Sequence, residues 1–165
     1  MDIRKFSILS TIFVIFVGTL LNFAYGWSSQ NIIVGLFSAI NESTWEHLKL
    51  LFYPMLITSI AGYFFVGKNT SNYWCVRVIG IILAMALTIV LFYTYSGILG
   101  YNIDIINISI FVISVIIGEY VSYKLLQSLM VCKTWKAILT LVIISAMFTI
   151  FTSNPPSIGL FVSPV

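Results

Sequence analysis

Residues 6–25 read FSILSTIFVIFVGTLLNFAY, a stretch with no charged side chain. A bilayer core of about 30 Å is crossed by about 20 apolar residues in an α-helix, so this stretch predicts a first membrane span. Arg4 and Lys5 precede it, an arrangement that a signal peptide shares. The apolar run is longer than a typical signal core and no clear A-x-A site follows it, so we expect an uncleaved helix.

The composition of the whole chain agrees with this first span. The 165 residues are 60% hydrophobic and only 8% charged, with a mean hydropathy of +1.07. Soluble domains carry about a quarter charged residues, so the solvent of this chain must be lipid. The net charge of +3 comes without any Lys/Arg-rich run, which argues against a nucleic-acid partner. The partners predicted instead are the lipid bilayer and a small-molecule, ion or lipid ligand, and the bundle could form an oligomer.

Four further spans follow the first. The connector at residues 26–40 has an apolar part too short to cross a bilayer, so we expect it to lie in the interface or to re-enter the bundle. Asn41 is an N-cap type of residue at the start of the second span, and Pro54 within that span predicts a kink. The predicted spans are residues 6–25, 42–66, 74–95, 105–123 and 135–151, within a single domain of residues 1–165. Pro155, Pro156 and Pro164 exclude a regular helix in the tail.

The predicted fold is therefore an all-α integral membrane bundle of about five transmembrane helices. Its basic residues alternate between ends: Arg4, Lys5, Lys68, Arg77, Lys124, Lys133 and Lys136 fall on one side, and only Lys49 falls on the other. Cytoplasmic loops carry the excess of Lys and Arg, so we expect the N-terminus inside and the C-terminus outside. The cell membrane, in a bacterium the cytoplasmic membrane, is the expected location. The four tryptophans fall at span ends, as in an aromatic belt: Trp27, Trp45, Trp74 and Trp135.

The two cysteines, Cys75 and Cys132, form no metal-binding spacing. In the predicted orientation both lie on the cytoplasmic side, where thiols stay reduced. We therefore expect them to be unpaired.

Small residues recur at four-residue spacing on two of the spans. Helices in lipid associate where small side chains let their backbones approach, so these stripes predict packing faces that meet each other or a neighbour. The stripes are Gly80, Ala84 and Thr88 on the third span and Ser114, Gly118 and Ser122 on the fourth.

One polar stretch, NESTWEHLK at residues 41–49, interrupts the apolar pattern at the start of the second span. It holds two of the five acidic residues and the only histidine. At about 3.6 residues per turn, Glu42, Glu46, Lys49 and Tyr53 share one helix face, and Ser43 and His47 form an adjacent stripe. The candidate residues of a polar pocket near the outer face are Asn41, Glu42, Ser43, Glu46, His47, Lys49 and Tyr53.

Two interpretations of this stretch stay open. In the structural one, Glu42 favours the helix N-terminus, Glu46 pairs with Lys49 and the lysine extends towards the headgroups. In the functional one, the stretch lines a water-accessible pocket. Glu42, Glu46 and His47 could then bind a divalent cation, although a zinc hydrolase usually has more histidines, or Glu46 and His47 could transfer protons.

Glu119 is a second intramembrane acid, near the inner end of the fourth span. Its depth is too different from that of Glu46 for direct contact. It either pairs with Arg77 or a lysine, or it forms an inner gate or proton relay.

The 41–49 stretch resembles the signature N-E-S-x-W-E-H-x-K of a family of small bacterial multi-pass membrane proteins of unknown function. Pro155-Pro156 and Leu160-Phe161 resemble that family's closing motif. Two positions depart from it, since Ala39-Ile40 and Ser163 stand where members have a proline and an aspartate. The resemblance implies a multi-pass membrane protein and gives no reaction.

Three functions follow from these observations. The first is binding or movement of a small solute, proton or cation through the outer pocket. The second is an integral membrane enzyme acting on a lipid or lipid-linked substrate, with Glu46 and His47 as the acid/base pair. The third is a non-catalytic assembly subunit.

Overall fold

Five long α-helices make up most of the protein. The computed structural model describes residues 2–163, so Pro164 lies outside the described residues. The helices are α1 (Ile3–Trp27), the short α2 (Ile32–Gly35), α3 (Thr44–Phe65), α4 (Tyr73–Leu99), α5 (Asp104–Leu126) and α6 (Thr134–Ser153). All but α2 are long and apolar enough to cross a membrane, and residues 2–163 contain no strand. The predicted all-α class and the number of candidate spans are confirmed.

The bundle has two ends, which we name by what they hold. The connector end holds residues 28–43 and the tail at residues 154–163, because Gly35 and Phe161 both contact the start of α3. The N-terminal end holds the start of α1, whose Phe6 lies beside Tyr73 at the start of α4.

Some helix ends differ from the predicted ones. The prediction that Asn41 caps the second span is wrong, because α3 begins at Thr44 and Ser43 is its N-cap, with its Oγ accepting from the backbone N–H of Glu46. The Asn41 side chain instead accepts from the backbone N–H of Ser43 at 2.9 Å, which is an Asx turn before the cap. The third predicted span, α4, continues four residues beyond its predicted end at 95 and ends at Leu99. Gly100 follows it with a φ of 77°, a left-handed conformation that suits glycine.

Pro54 lies inside α3 without ending it. Proline has no N–H, so the carbonyl of Leu50, four residues earlier, loses its helical partner. Gly18 of α1 packs directly on that carbonyl, and a Cβ at this position would lie 2.5 Å from the Leu50 oxygen. The absence of a side chain at Gly18 therefore lets the backbone of α1 pack against the Leu50 carbonyl that Pro54 leaves without a helical hydrogen bond.

The two stripes of small residues meet each other, which is one of the two predicted contacts. A Cβ at Gly80 would lie 2.0 Å from Ser122 Oγ and 2.8 Å from the carbonyl oxygen of Gly118. A Cβ at Gly118 would lie 2.8 Å from the Ala84 side chain. The backbones of α4 and α5 therefore touch at a contact that larger side chains would prevent.

The prediction of two unpaired cysteines is wrong. Cys75 and Cys132 form a disulfide across 57 residues of chain, with their Cα atoms 5.8 Å apart. The bond joins the first turn of α4 to the segment before α6. The spacing of two cysteines does not show that these segments meet at the same end of the bundle.

Candidate functional site

The polar stretch at the start of α3 forms a buried ion pair. Lys49 Nζ lies 2.5 Å from a carboxylate oxygen of Glu46, one turn apart on the helix, and both side chains are at most 3% exposed. The predicted pairing of these residues is present, but the prediction that the lysine extends outward is wrong. Its ammonium donates inward, to the carbonyl oxygen of Gly35 at 2.7 Å and to Thr152 Oγ1 at 3.1 Å.

The Glu46 carboxylate has further partners on two other segments. It accepts from the backbone N–H of Ile40 in the connector at 3.0 Å and from the Thr152 hydroxyl of α6 at 3.1 Å. Each charge of the pair is thus compensated by the other and by hydrogen bonds, as a buried ion pair requires. Together Glu46 and Lys49 join α3 to both the connector and the C-terminal end of α6.

Glu42 and His47 lie apart from this buried pair. The prediction that Glu42 and Glu46 share one helix face is wrong, because Glu42 precedes Thr44, the first residue of α3. Its carboxylate lies 3.4 Å from His47 Nε2, and their side chains are 77% and 33% exposed. His47 Nδ1 lies 3.0 Å from the Ser43 carbonyl oxygen. The structure therefore pairs His47 with Glu42 at the surface and leaves Glu46 with Lys49 inside.

The carboxylates and the histidine do not form a metal centre in the part of the chain that the structure describes. No group of three His, Cys, Asp or Glu side chains comes together there. Of the three predicted candidates, Glu42 and His47 are adjacent. Glu46 instead holds the Lys49 ammonium group at 2.5 Å.

Aromatic packing surrounds the ion pair, and part of it escaped the sequence analysis. The prediction that Trp45 belongs to an interfacial belt is wrong, because it is buried against Phe148 and Phe161, with ring centroids 4.7 and 4.8 Å apart. Tyr53 is buried one turn beyond Lys49, with its ring 5.0 Å from that of Phe37 in the connector. The signature-like stretch and the closing motif thus meet in one cluster, a contact that spacing along the chain cannot show.

A second buried ion pair lies towards the N-terminal end of the bundle. Both terminal nitrogens of Arg77 donate to the Glu119 carboxylate, at 2.6 and 2.8 Å, and the two side chains are 1% exposed. Arg77 Nε also donates to Ser59 of α3, and Ser10 of α1 donates to Glu119. Of the two interpretations of Glu119, the pairing with Arg77 is present, and it joins four helices.

The two ion pairs are separated by apolar packing. Glu46 and Ser59 are thirteen positions apart on α3, about 20 Å along the helix axis. Phe52 and Met55 lie between them with no exposed surface. Glu46 and Glu119 are therefore far apart, as predicted.

The class that the fold indicates is that of multi-span membrane proteins, since five of its helices are long and apolar enough to cross a bilayer. A profile of the family of unknown function DUF6512 matches residues 1–165, so the chain belongs to that family. No curated protein and no solved structure matches the chain significantly.

Proposed function

We propose that the protein spans the cell membrane five times with its N-terminus in the cytoplasm and its C-terminus outside. Six of its eight Lys and Arg residues support this orientation, because they are exposed on loops and adjoining helix turns at one end of the bundle: Arg4, Lys5, Lys68, Lys124, Lys133 and Lys136. The other two, Arg77 and Lys49, are each neutralised by a glutamate inside the bundle and expose no charge at either end. The connector supports an interfacial position, since Ile32 and Ile33 at its helix are 80% and 69% exposed.

Within that orientation, we infer that the protein acts as a non-catalytic assembly or regulatory subunit, and that the Glu46–Lys49 pair is a structural latch. One observation carries this inference: both charges are used entirely to join three segments of the same chain. Such a latch holds the connector and the end of α6 in one fixed shape that a partner protein can recognise. Lipid chemistry by Glu46 and His47 has less support, because their side chains have different partners.

A second candidate is gated binding or movement of a proton or small cation. It is favoured by the Glu42–His47 pair at the surface, because His47 directly follows the buried Glu46 in the chain. In this case the Glu46–Lys49 pair is a closed outer gate, and an incoming cation competes with the Lys49 ammonium for the Glu46 carboxylate. The apolar layer at Phe52 would have to open as well.

Charge removal at the buried pair first identifies a variant that lacks the pair and still folds. Glu46→Gln or Lys49→Met alone leaves a buried charge without its counter-ion and lowers the melting temperature of the purified protein, whereas the double variant Glu46→Gln/Lys49→Met recovers most of it. The matched control is Glu42→Gln/His47→Gln, which removes an exposed pair and leaves the melting temperature within about 2 °C.

The folded double variant then serves as the test of function. Wild type and double variant are reconstituted in liposomes, and proton and K⁺ fluxes are followed with entrapped dyes. The latch predicts no flux for either protein, and weaker retention by the double variant of any partner that co-purifies with the wild type, because Lys49→Met removes the bonds to Gly35 and Thr152. Flux through the wild type that is lost in the stably folded double variant would establish the gate and overturn the latch.

A further inference from the structure

A groove runs between α1 and α5 at the N-terminal end, on the outside of the bundle. It has a volume of about 410 Å³ and lies beside Glu119 on α5, because its lining residue Ser7 donates to the backbone carbonyl of Glu119. Its walls come from the first turns of α1 and the last turns of α5, and its lining residues are Arg4, Ser7, Ile8, Thr11, Ile116, Tyr120 and Tyr123. Because α1 and α5 are both candidate spans, the groove faces the acyl chains and headgroups of one leaflet.

The charged groups of the groove are concentrated at the end nearest the start of α1. Arg4 is exposed in the first turn of α1, and among residues 2–163 its guanidinium forms no ion pair. Across the groove, Lys124 Nζ lies 5.6 Å from the ring centroid of Tyr120 and 5.9 Å from that of Tyr123. Two cations and two phenol rings therefore frame the end of the groove at headgroup depth, without an acidic side chain in the lining.

The inner part of the groove is suited to hydrocarbon. The hydroxyls of Ser7 and Thr11 already donate to backbone carbonyls, at 3.2 and 2.9 Å, so they offer no free donor to a ligand. A second groove of about 410 Å³ lies further along α1 and is lined by Ile12, Ile15, Phe16, Thr19 and Leu20. From Arg4 to Ile15 the helix rises about 16 Å, close to the half-thickness of about 15 Å of a bilayer core.

We propose that this groove is a binding site for an anionic phospholipid, with Arg4 as the headgroup ligand and one acyl chain along α1. Charge complementarity selects this occupant, because basic pockets between membrane helices attract anionic headgroups and the amphipathic tyrosines suit the interface. A zwitterionic lipid would occupy the same groove but would bind more weakly, because its headgroup carries no net negative charge to interact with Arg4 and Lys124. The site does not depend on the proposed role of the Glu46–Lys49 pair.

The test compares phosphatidylglycerol with phosphatidylcholine of identical acyl chains. Delipidated full-length protein in detergent is titrated with each lipid, and bound lipid is counted by native mass spectrometry together with the melting temperature, which rises when a ligand binds the folded state. We expect one phosphatidylglycerol to bind and raise the melting temperature, and phosphatidylcholine to bind at least fivefold more weakly. Equal binding of the two lipids would overturn the proposal.

Two matched pairs of variants locate the site. Arg4→Gln should weaken phosphatidylglycerol binding about fivefold, whereas Lys5→Gln removes the same charge from a residue outside the groove and should change it less than twofold. Ile8→Trp fills the groove and should reduce binding of the lipid tail, while Leu9→Trp, exposed on α1 outside the lining, should not. Equal losses for Arg4→Gln and Lys5→Gln would reveal general surface attraction and overturn the site.

Discussion

Replacing Arg77 by methionine removes the cation that neutralises Glu119 in the middle of four helices. Glu119 then keeps one side-chain hydrogen bond, from Ser10 at 2.8 Å, and loses both bonds from the guanidinium. Breaking a buried pair by removing one partner costs about 3–5 kcal/mol, because the remaining charge stays desolvated. At about 2–4 °C per kcal/mol for a chain of this size, the melting temperature should fall by about 6–20 °C.

The double variant Arg77→Met/Glu119→Leu removes both charges together. Replacing a buried ion pair by apolar residues is often neutral or stabilising, so the double variant should unfold within a few degrees of the wild type. Thermal unfolding in detergent, followed by light scattering and tryptophan fluorescence, gives the four corners of the double-mutant cycle. Lys133→Met is the charge control, since Lys133 is exposed, and it should shift the melting temperature by less than about 2 °C.

The cycle can refute the reasoning in two ways. A loss for Arg77→Met no larger than that of the lysine control would mean that the pair contributes nothing to the fold. A double variant as unstable as the sum of the two single variants would mean that the surrounding hydroxyls, such as that of Ser59, depend on the charges for their own positions.

Three further outcomes are expected. Gly80→Ala should destabilise the protein by about 1–3 kcal/mol through overpacking of α4 against α5, whereas Gly97→Ala, with nothing within 4 Å of its Cβ, should be neutral in the same melting assay. Trp45→Ala should cost about 3–5 kcal/mol, whereas Trp27→Ala, at a position 69% exposed, should cost less than about 1 kcal/mol. If the N-terminal end faces the cytoplasm, its thiols stay reduced in the cell, so Cys75 and Cys132 should react with maleimide in denatured cells that have received neither a blocking agent nor a reductant. Labelling that appears only after reduction would mean that the Cys75–Cys132 disulfide is present in the cell and would reverse the orientation.

The number of spans and the contact between α4 and α5 followed from local patterns. Each span has to be apolar along its own length, so hydropathy detects it without knowledge of its neighbours. The four-residue spacing of small residues is likewise visible within a single helix, from Gly80 to Ala84 in α4 and from Gly118 to Ser122 in α5. The helix ends are less determined, because a cap depends on which of several polar residues, here Asn41 or Ser43, reaches the first free N–H groups.

The partners of the site residues did not follow from such patterns. The i+3 spacing predicted that Glu46 would pair with Lys49, and Arg77 was one of two predicted partners of Glu119. The hydrogen bond between Thr152 and Glu46 joins residues 106 positions apart, and no periodicity in the sequence indicates it. For the same reason the direction of the Lys49 ammonium was predicted wrongly.

The sequence alone determined that this protein is an all-α chain with five helices suited to a membrane, because lipid acts on each segment separately and demands that each be apolar and helical. It also marked residues 41–49 as the one stretch where charge interrupts that pattern. Only the tertiary structure decided what those charges do. Whether a buried lysine faces water, a carboxylate or a backbone carbonyl depends on the segments packed around it, and the connector and the end of α6 enclose Lys49 completely.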